Sequence, residues 1–574
     1  MMVEPHPPAA PPPARSLRPA RLVAGCLIAL YATYFSLYTC VAHGRLKTYA
    51  FDLGTFDQGI WLAGHGTNYF VTVRGLHLLG DHVRLFSFVL APLYWIWDDV
   101  RALLVLQSIV IAAAAWLLLR IAEQKVPGHR WFAPAVAASW LLHPAVQNLN
   151  LDHAHPDAFA TTLLVASIWF LRRGQLPAFW TTAVLAMSCK EDVPLVFVAM
   201  GLVLMLDRSR RRLGTAVLAV SASYFALCML VILPHFNGVG FFRFDEQYFL
   251  GGVGAHHTDL SWIYHRLART ESVTYLASLG APLLFLFVLA PLSVAPAIPA
   301  LLANLLSDAG YMRSFQYHYQ TSVLPFLYIG AIDGFAFAVG WLRQREAGRA
   351  SRIVSWLVPA AIMVAVVAEN IAWSKIPVHR MADLVGEWKF LRVDPELAQV
   401  RRVLSKIPRD AAVSADYSLV PQLAHRPLIY MFPNPFHISN WGIDGENTHD
   451  PETVEYVVVR DIPGHVPVRQ NLDAVLDSRR FRLIHSDRST SLYQRVKRVA
   501  LSEHASCGDW DGDGKVTLED VQWIADAIMT GHECPLAVCD ADGDGKAANA
   551  DVLRIGKRAR SRSYELACPP PAGP

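Results

Sequence analysis

Between residues 272 and 307 the chain runs through 36 positions without one charged side chain, and it carries Pro282, Pro291, Pro296 and Pro299 on the way. As a single helix this stretch would be roughly 54 Å long at 1.5 Å per residue, against about 30 Å for the hydrocarbon core of a bilayer. It is therefore expected to make two crossings broken near Pro291. Further apolar runs lie at 22–42, 102–119, 131–147, 158–171, 176–188, 193–206, 213–233, 321–341 and 353–368. With only 17% charged residues and 53% hydrophobic ones, where a soluble protein carries about 25% charged, the chain reads as mainly α, a polytopic transmembrane helical bundle of about eleven spans. A net charge of +3 over 574 residues excludes a nucleic-acid binder that works by bulk basicity.

Charge placement orients the bundle. The run 22–42 follows Arg15, Arg18 and Arg21 and has no small-residue cleavage site, so it reads as a first transmembrane helix with its N-terminus in the cytoplasm. With two crossings in 272–307, every inner loop is basic: Arg120/Lys125/Arg130, Arg172/Arg173, Arg208 through Arg212, and Arg343/Arg345/Arg349/Arg352. One crossing there would put the last of these outside. The expected location is the cell (inner) membrane, multi-pass, with the C-terminal domains extracytoplasmic. Acidic, histidine and aromatic residues then gather on the outer face, in loops 43–101, 148–157, 189–192, 234–271 and 308–320. Residues 85–97 are apolar but shorter than a span, and with Tyr94, Trp95 and Trp97 they read as a helix lying along the interface.

The expected domains are a disordered Pro-rich tail (1–20), the membrane domain (21–373), an extracytoplasmic α/β domain (374–500) and a C-terminal module (501–574). In the α/β domain, 395–407 has helical periodicity, while 411–415, 428–431, 454–459, 481–484 and 491–496 read as strands. No catalytic motif stands out there. The C-terminal module carries Cys507, Cys534, Cys539 and Cys568, an even set in a short polar segment that points to disulfides and an oxidising compartment.

Within that module Asp509, Asp511, Asp513, Thr517 and Asp520 put side-chain oxygens at positions 1, 3, 5, 9 and 12 of a calcium loop, with the Lys515 carbonyl at 7 and Gly514 at the sharp turn. Asp540, Asp542, Asp544, Lys546 and Asp551 repeat the pattern 31 residues later; Ala548 stands at position 9, where water would fill the ligand place. So many carboxylates in one loop repel one another unless a hard cation joins them. Position 12 is Asp, and a single helix is expected after each loop, at 521–529 and 552–558. The repeat resembles a dockerin domain over residues 507–568, which implies two Ca2+ sites and a cohesin-type protein partner. Residues late in each loop, here Leu518/Glu519 and Asn549/Ala550, carry partner recognition in that family. Cys507 and Cys568 bracket the repeat, which suits a 507–568 clasp with a local 534–539 bridge, although four cysteines allow three pairings.

The motifs from Phe51 to Gln58 (FDLGTFDQ), Gly80-Asp81-His82, His155-Pro156-Asp157, Cys189-Lys190-Glu191-Asp192, and Tyr317-His318-Tyr319 before Leu324-Pro325-Phe326 resemble those of an uncharacterised family of bacterial multi-spanning proteins that is similar to the GT-C glycosyltransferases. The resemblance covers residues 22–496. It implies a GT-C-like fold, a polyprenyl-phosphate-linked sugar as donor on the extracytoplasmic face, and an acidic base in the first outer loop, Asp52 or Asp57. The chemistry asks for a carboxylate to take the acceptor proton and cations to meet the departing phosphate. His82, Asp152, His155, Asp157, Lys190, Glu191, Arg313 and His318 are the candidate substrate-binding residues, with a divalent metal a further candidate at the Asp152–Asp157 loop. Helix capping by Asp52 and Asp57, and a local ion pair at Lys190-Glu191-Asp192, are the structural alternatives. A transporter, or a non-catalytic anchor displaying the calcium module, are the rival functions. Asp333, in a span, is expected to face the bundle interior in a structural hydrogen bond.

Overall fold

The computed structural model describes residues 14–238, 261–345, 348–374, 395–437, 449–460, 471–473, 475–476, 481–487, 489–496, 501–530, 534–561 and 563–570. Most of the expected Pro-rich tail and most of the expected outer loop 234–271 lie outside these residues. Five described helices are long and apolar enough to cross a membrane: Pro19–Gly44, Arg101–Lys125, Arg211–Asn237, Leu324–Gln344 and Ala350–Trp373. Other apolar helices are shorter, among them Phe132–Leu142, Leu176–Met187 and Val193–Leu206, and at about 1.5 Å per residue none of these three alone reaches 30 Å.

Prolines set many of these lengths. Phe132–Leu142 stops because His143 precedes Pro144 and is extended (ψ 124°), as a residue before proline tends to be. The His143 ring then accepts from the Ala145 N–H and caps the next helix, Pro144–Leu151. Pro156, Pro177 and Pro194 each stand in the first turn of a helix, where the missing N–H costs nothing. In Arg211–Asn237 the absent Pro234 N–H falls just after a π-helical turn, Cys228–Ile232, the local widening that accommodates a lost bond in a helical ladder.

The charge-free stretch does break, between the helices Thr270–Gly280 and Pro291–Leu306 and so close to the expected Pro291, with Leu284 and Phe285 inside the break. Both residues take left-handed φ values, 51° and 53°, between the helix Thr270–Gly280 and the segments that follow. Pro291 opens the first turn of the second helix, Pro291–Val294, the position where proline fits best. Asp333 faces the bundle interior as expected, accepting from Ser293 Oγ at 2.7 Å and pairing with Arg172 at 2.5 Å and Lys125 at 3.5 Å. The expected interfacial stretch 85–97 forms two short helices, Phe86–Leu90 and Leu93–Ile96, with Trp95 and Ile96 largely exposed.

The α/β elements appear within a few residues of their expected places: the helix Pro395–Leu404, a parallel pair Val413–Ala415 and Ile429–Met431, the strand Tyr456–Arg460, and an antiparallel hairpin of Phe481–Asp487 with Thr490–Arg495. A small hairpin in the first outer loop, Phe70–Val71 with Leu76–His77, had no sequence signal. The chain divides into two compact units inside the strand 456–460, the first comprising residues 1–454 and 458–460 and the second 455–457 and 461–574. Residues 395–437 thus belong with the membrane part. The reason is hydrogen bonding: Arg401 donates to the Gly44 carbonyl, Ala50 N–H to Tyr417 O at 2.9 Å, and Thr72 Oγ1 to Ile429 O at 2.6 Å. Loop backbone in the first outer loop finds its partners there.

In the second unit the helices Leu518–Thr530 and Asn549–Arg560 begin three residues earlier than expected, and a short helix Leu536–Cys539 lies between them. Trp510, Ile524, Val538 and Ile555 form its core. Cys507 pairs with Cys568 and Cys534 with Cys539.

Gly201 and Gly214 let the helices Val193–Leu206 and Arg211–Leu227 touch backbone to backbone. A Cβ on Gly201 would lie 2.8 Å from Leu218 N and 2.9 Å from Gly214 O. Gly201→Val is expected to cost about 1–3 kcal/mol by overpacking, read as a lower unfolding temperature in detergent. Gly25→Ala, with nothing within 4 Å, serves as the neutral comparison.

Candidate functional site

The outer-loop charges expected from the motifs converge at one end of the bundle. Asp157, in the first turn of the helix Pro156–Arg172, pairs with Arg84 at 3.4 Å and with Lys190 at 3.4 Å. Glu191 accepts from Val83 N–H at 2.9 Å and meets His82 Nδ1 at 2.6 Å. All of these are buried or nearly so. Burial works against the charged forms, and the partners overcome it: Lys190 and Arg84 hold the Asp157 carboxyl well below the carboxylate range, and His82 draws Glu191 down to about 2. Burial likewise opposes the Lys190 charge, but Asp192 and Asp157 raise it.

A second layer rests on the first. His318 Nδ1 lies 3.0 Å from Asp152 Oδ2, and its Nε2 lies 3.8 Å from Asp157. The His155 ring stacks on His318 at 4.2 Å, and His318 stacks on Tyr319. One donor atom from each of Asp152, His155 and His318 falls within 4.8 Å of the others. Both His155 ring nitrogens are buried without a hydrogen-bond partner among the described residues, and burial pushes that imidazole well down, toward its neutral, ligand-competent form. The loop is held from below by Gln107 of the helix Arg101–Lys125, whose amide donates to His153 O and accepts from His155 N–H.

Asp52 and Asp57, five residues apart, have opposite surroundings. Asp52 sits in a tight turn with φ 62° and ψ −92°, a left-handed conformation that costs a non-glycine residue of order 1–3 kcal/mol. Its side chain has no hydrogen-bond or ion-pair partner among the described residues. Burial, then the Asp152 charge, pushes its carboxyl up to about 7. Asp57 is fully buried. Its Oδ1 accepts from Tyr94 OH and lies 2.9 Å from His425 Nε2, while His425 Nδ1 meets Asp98 at 2.6 Å. Burial opposes the His425 charge, but Asp57 and Asp98 raise it to about 9. Asp57 is therefore occupied by structural partners, and among the described residues Asp52 is not.

Arg313 stands apart from these groups: its guanidinium donates to Ser307 O and lies near Arg269, Glu271 and Asp308. Arg84, Gln107 and His425 belong to the site's frame and carry no motif; only their contacts reveal them.

The C-terminal loops repeat one hydrogen-bond pattern. Asp509 accepts from Gly512 and Gly514 N–H at 2.9 Å each, and Asp540 from Gly543 and Gly545 at 2.8 and 2.9 Å. Asp520 Oδ1 accepts from Trp510 N–H and Asp551 Oδ1 from Ala541 N–H, at 2.9 and 2.8 Å. Gly514 and Gly545 are both left-handed, with φ 83° and 84°. Donor oxygens of Asp509, Asp511 and Asp520, and of Asp540, Asp542 and Asp544, cluster within 4.8 Å.

Glu191→Leu removes the acceptor of the Val83 N–H and the partner of His82 in a buried setting. It is expected to cost about 3–5 kcal/mol, measured as a fall in unfolding temperature in detergent. Asp192→Asn, at a carboxylate 53% exposed that lies 3.7 Å from Lys190, is expected to stay within about 0.5 kcal/mol.

No functionally curated protein matches the chain. Among solved structures it is similar to ArnT from Cupriavidus metallidurans bound to undecaprenyl phosphate, at 14% identity and a TM-score of 0.42 over 81% of this chain and 97% of that one. The apo form of the same protein is similar at 14% identity and a TM-score of 0.41, over 81% and 98%. Neither likeness carries a residue role to this chain. A family model described as "Predicted membrane protein (DUF2079)" matches residues 42–490, so this chain, with its five helices long and apolar enough to cross a membrane, belongs to that membrane-protein family.

Proposed function

We propose that the chain is a GT-C-like membrane transferase that moves a sugar from a polyprenyl-phosphate donor to an extracytoplasmic acceptor, with Asp52 as the base. The observation that carries this reading is the state of Asp52: unpartnered among the described residues, held in a strained turn, and raised to about 7 by burial and the neighbouring Asp152 charge. A carboxylate tuned near neutrality takes a hydroxyl proton efficiently. The acceptor oxygen gives its proton to Asp52 as it bonds to the sugar's anomeric carbon. The bond from that carbon to the phosphate oxygen breaks, and the polyprenyl phosphate leaves with the electron pair. Lys190 and Arg84, already fixed on Asp157, supply positive potential where that charge develops. Asp57 holds His425 and Tyr94 and so keeps the first outer loop in place.

Asp152, His155 and His318 offer one oxygen and two nitrogens, a donor set suited to a borderline divalent ion such as zinc or manganese. The orphaned His155 nitrogens fit that use. Such an ion, when bound, would neutralise phosphate charge. The two C-terminal loops are read as Ca2+ sites, built from Asp509, Asp511, Asp513, Lys515 carbonyl, Thr517 and Asp520, and from Asp540, Asp542, Asp544, Lys546 carbonyl and Asp551. They would rigidify a dockerin-like module that docks a cohesin-type protein outside the membrane. The repeated carboxylate-to-glycine pattern supports this.

In a radiolabelled transfer assay from a polyprenyl-phosphate sugar, Asp52→Asn is expected to lose about 10²–10⁴-fold in rate, and Asp57→Asn less. Equal losses in both variants would remove Asp52 from its role. Because the base must be ionised, the wild-type rate should fall about tenfold per pH unit below the Asp52 value near 7. A flat profile from pH 5 to 8 counts against the assignment. Calcium is expected to protect residues 501–574 of the full chain from proteolysis, and the double variant Asp509→Ala/Asp540→Ala to abolish that protection; protection that ignores calcium would refute the two sites.

A further inference from the structure

The α/β segment carries no catalytic motif, yet one of its side chains stands beside the turn that holds Asp52. Tyr417 lies between the strand Val413–Ala415 and the 3-10 turn Val420–Gln422. Its carbonyl accepts from Ala50 N–H at 2.9 Å, within the Asp52 turn. Its ring lies parallel to that of Tyr49, centroids 5.1 Å apart and planes 11° from one another. The Tyr49 ring is braced in turn by the edge of His153 at 5.8 Å. Both tyrosines are nonetheless open, 42% and 40% exposed. Because Ala50 lies two residues before Asp52, the backbone bond sets Tyr417 beside the turn that holds the carboxylate.

A stacked aromatic pair, fixed through its backbone and left uncovered, offers a flat π face whose negative charge attracts polarised C–H bonds. The flat face of a pyranose presents such bonds, and its hydroxyls point outward to polar neighbours. We propose that Tyr417, backed by Tyr49, is the platform for the pyranose ring of the acceptor, so that the acceptor is itself a carbohydrate. The ring belongs to the acceptor because the platform adjoins the base, and the base takes the acceptor's proton; the donor phosphate goes to the Lys190 and Arg84 side. This assignment rests on the transferase reading above, and it gives the α/β segment a place in the site.

The test uses the full chain in a detergent without a sugar head group, with methyl β-D-glucopyranoside as probe and sorbitol, an open-chain polyol, as comparison. Saturation-transfer NMR is expected to show signal on the glucoside ring protons and none on sorbitol. Tyr417→Ala should cut the signal roughly five-fold, as loss of one stacking contact predicts, while Tyr417→Phe and Tyr417→Trp retain it. Because Tyr417 is exposed, the alanine variant is expected to melt as the wild type does. No glucoside signal in the wild type, equal signals for glucoside and sorbitol, or an undiminished signal in Tyr417→Ala would overturn the platform. Transfer activity is read separately: a Tyr417-dependent signal without any transfer sinks the transferase reading and leaves the pyranose platform standing. Transfer with an undiminished Tyr417→Ala signal sinks the platform alone.

Discussion

Asp157 is the residue around which one end of the bundle is organised. A carboxylate removed from water among apolar helices must find cations or lose its charge, and here Arg84 and Lys190 reach it from two different loops while His318 lies 3.8 Å away. Arg84 comes from the first outer loop, Lys190 from the turn before Val193–Leu206, and His318 from the segment before Leu324–Gln344. One buried charge therefore ties the loops to the helix Pro156–Arg172. The same ties bring the candidate substrate-binding groups together, so the stability of this end and the geometry of the site are a single arrangement.

The second constraint is the backbone of the first outer loop. On either side of the helix Thr55–His65, residues 44–72 hold a strained turn and a short strand, and Gly44, Ala50, Gln58 and Thr72 hydrogen-bond to residues 401–429, through Arg401, Tyr417, Arg426, Pro427 and Ile429. The His425 bridge between Asp57 and Asp98 adds a charged pin to the same contact. A left-handed aspartate persists only where its surroundings over-determine it, and this packing supplies that. It also explains why the compact division of the chain falls in the strand 456–460 and not at the end of the last long apolar helix.

Much of the site was legible one residue at a time. Lys190 and Glu191 stand out because charges flanked by apolar runs are costly unless paired, and Asp152, His155 and His318 because ligand-type residues gather in short outer segments. The same logic offered Arg313, whose guanidinium donates to the Ser307 carbonyl apart from the other groups, and it put Asp52 ahead of Asp57 without showing how differently the two are surrounded. Arg84, Gln107, Tyr417 and His425 were not legible. His425 lies 368 positions from Asp57, and no periodicity or spacing reports a contact at that separation.

The sequence alone determined the solvent each segment prefers. Unbroken apolar runs, basic loops between them and a twice-repeated Asp/Gly spacing follow from local composition, because transfer free energy and turn geometry are properties of short windows. Proline also marked helix starts locally. Only the tertiary structure decided the path within the break of the charge-free stretch, since Leu284 and Phe285 have no turn chemistry of their own yet adopt left-handed φ. It likewise decided which of two similar aspartates is left without a side-chain partner among the described residues. Ionisation depends on distance to charges and on lost water, and both are set by residues that meet only when the chain has folded.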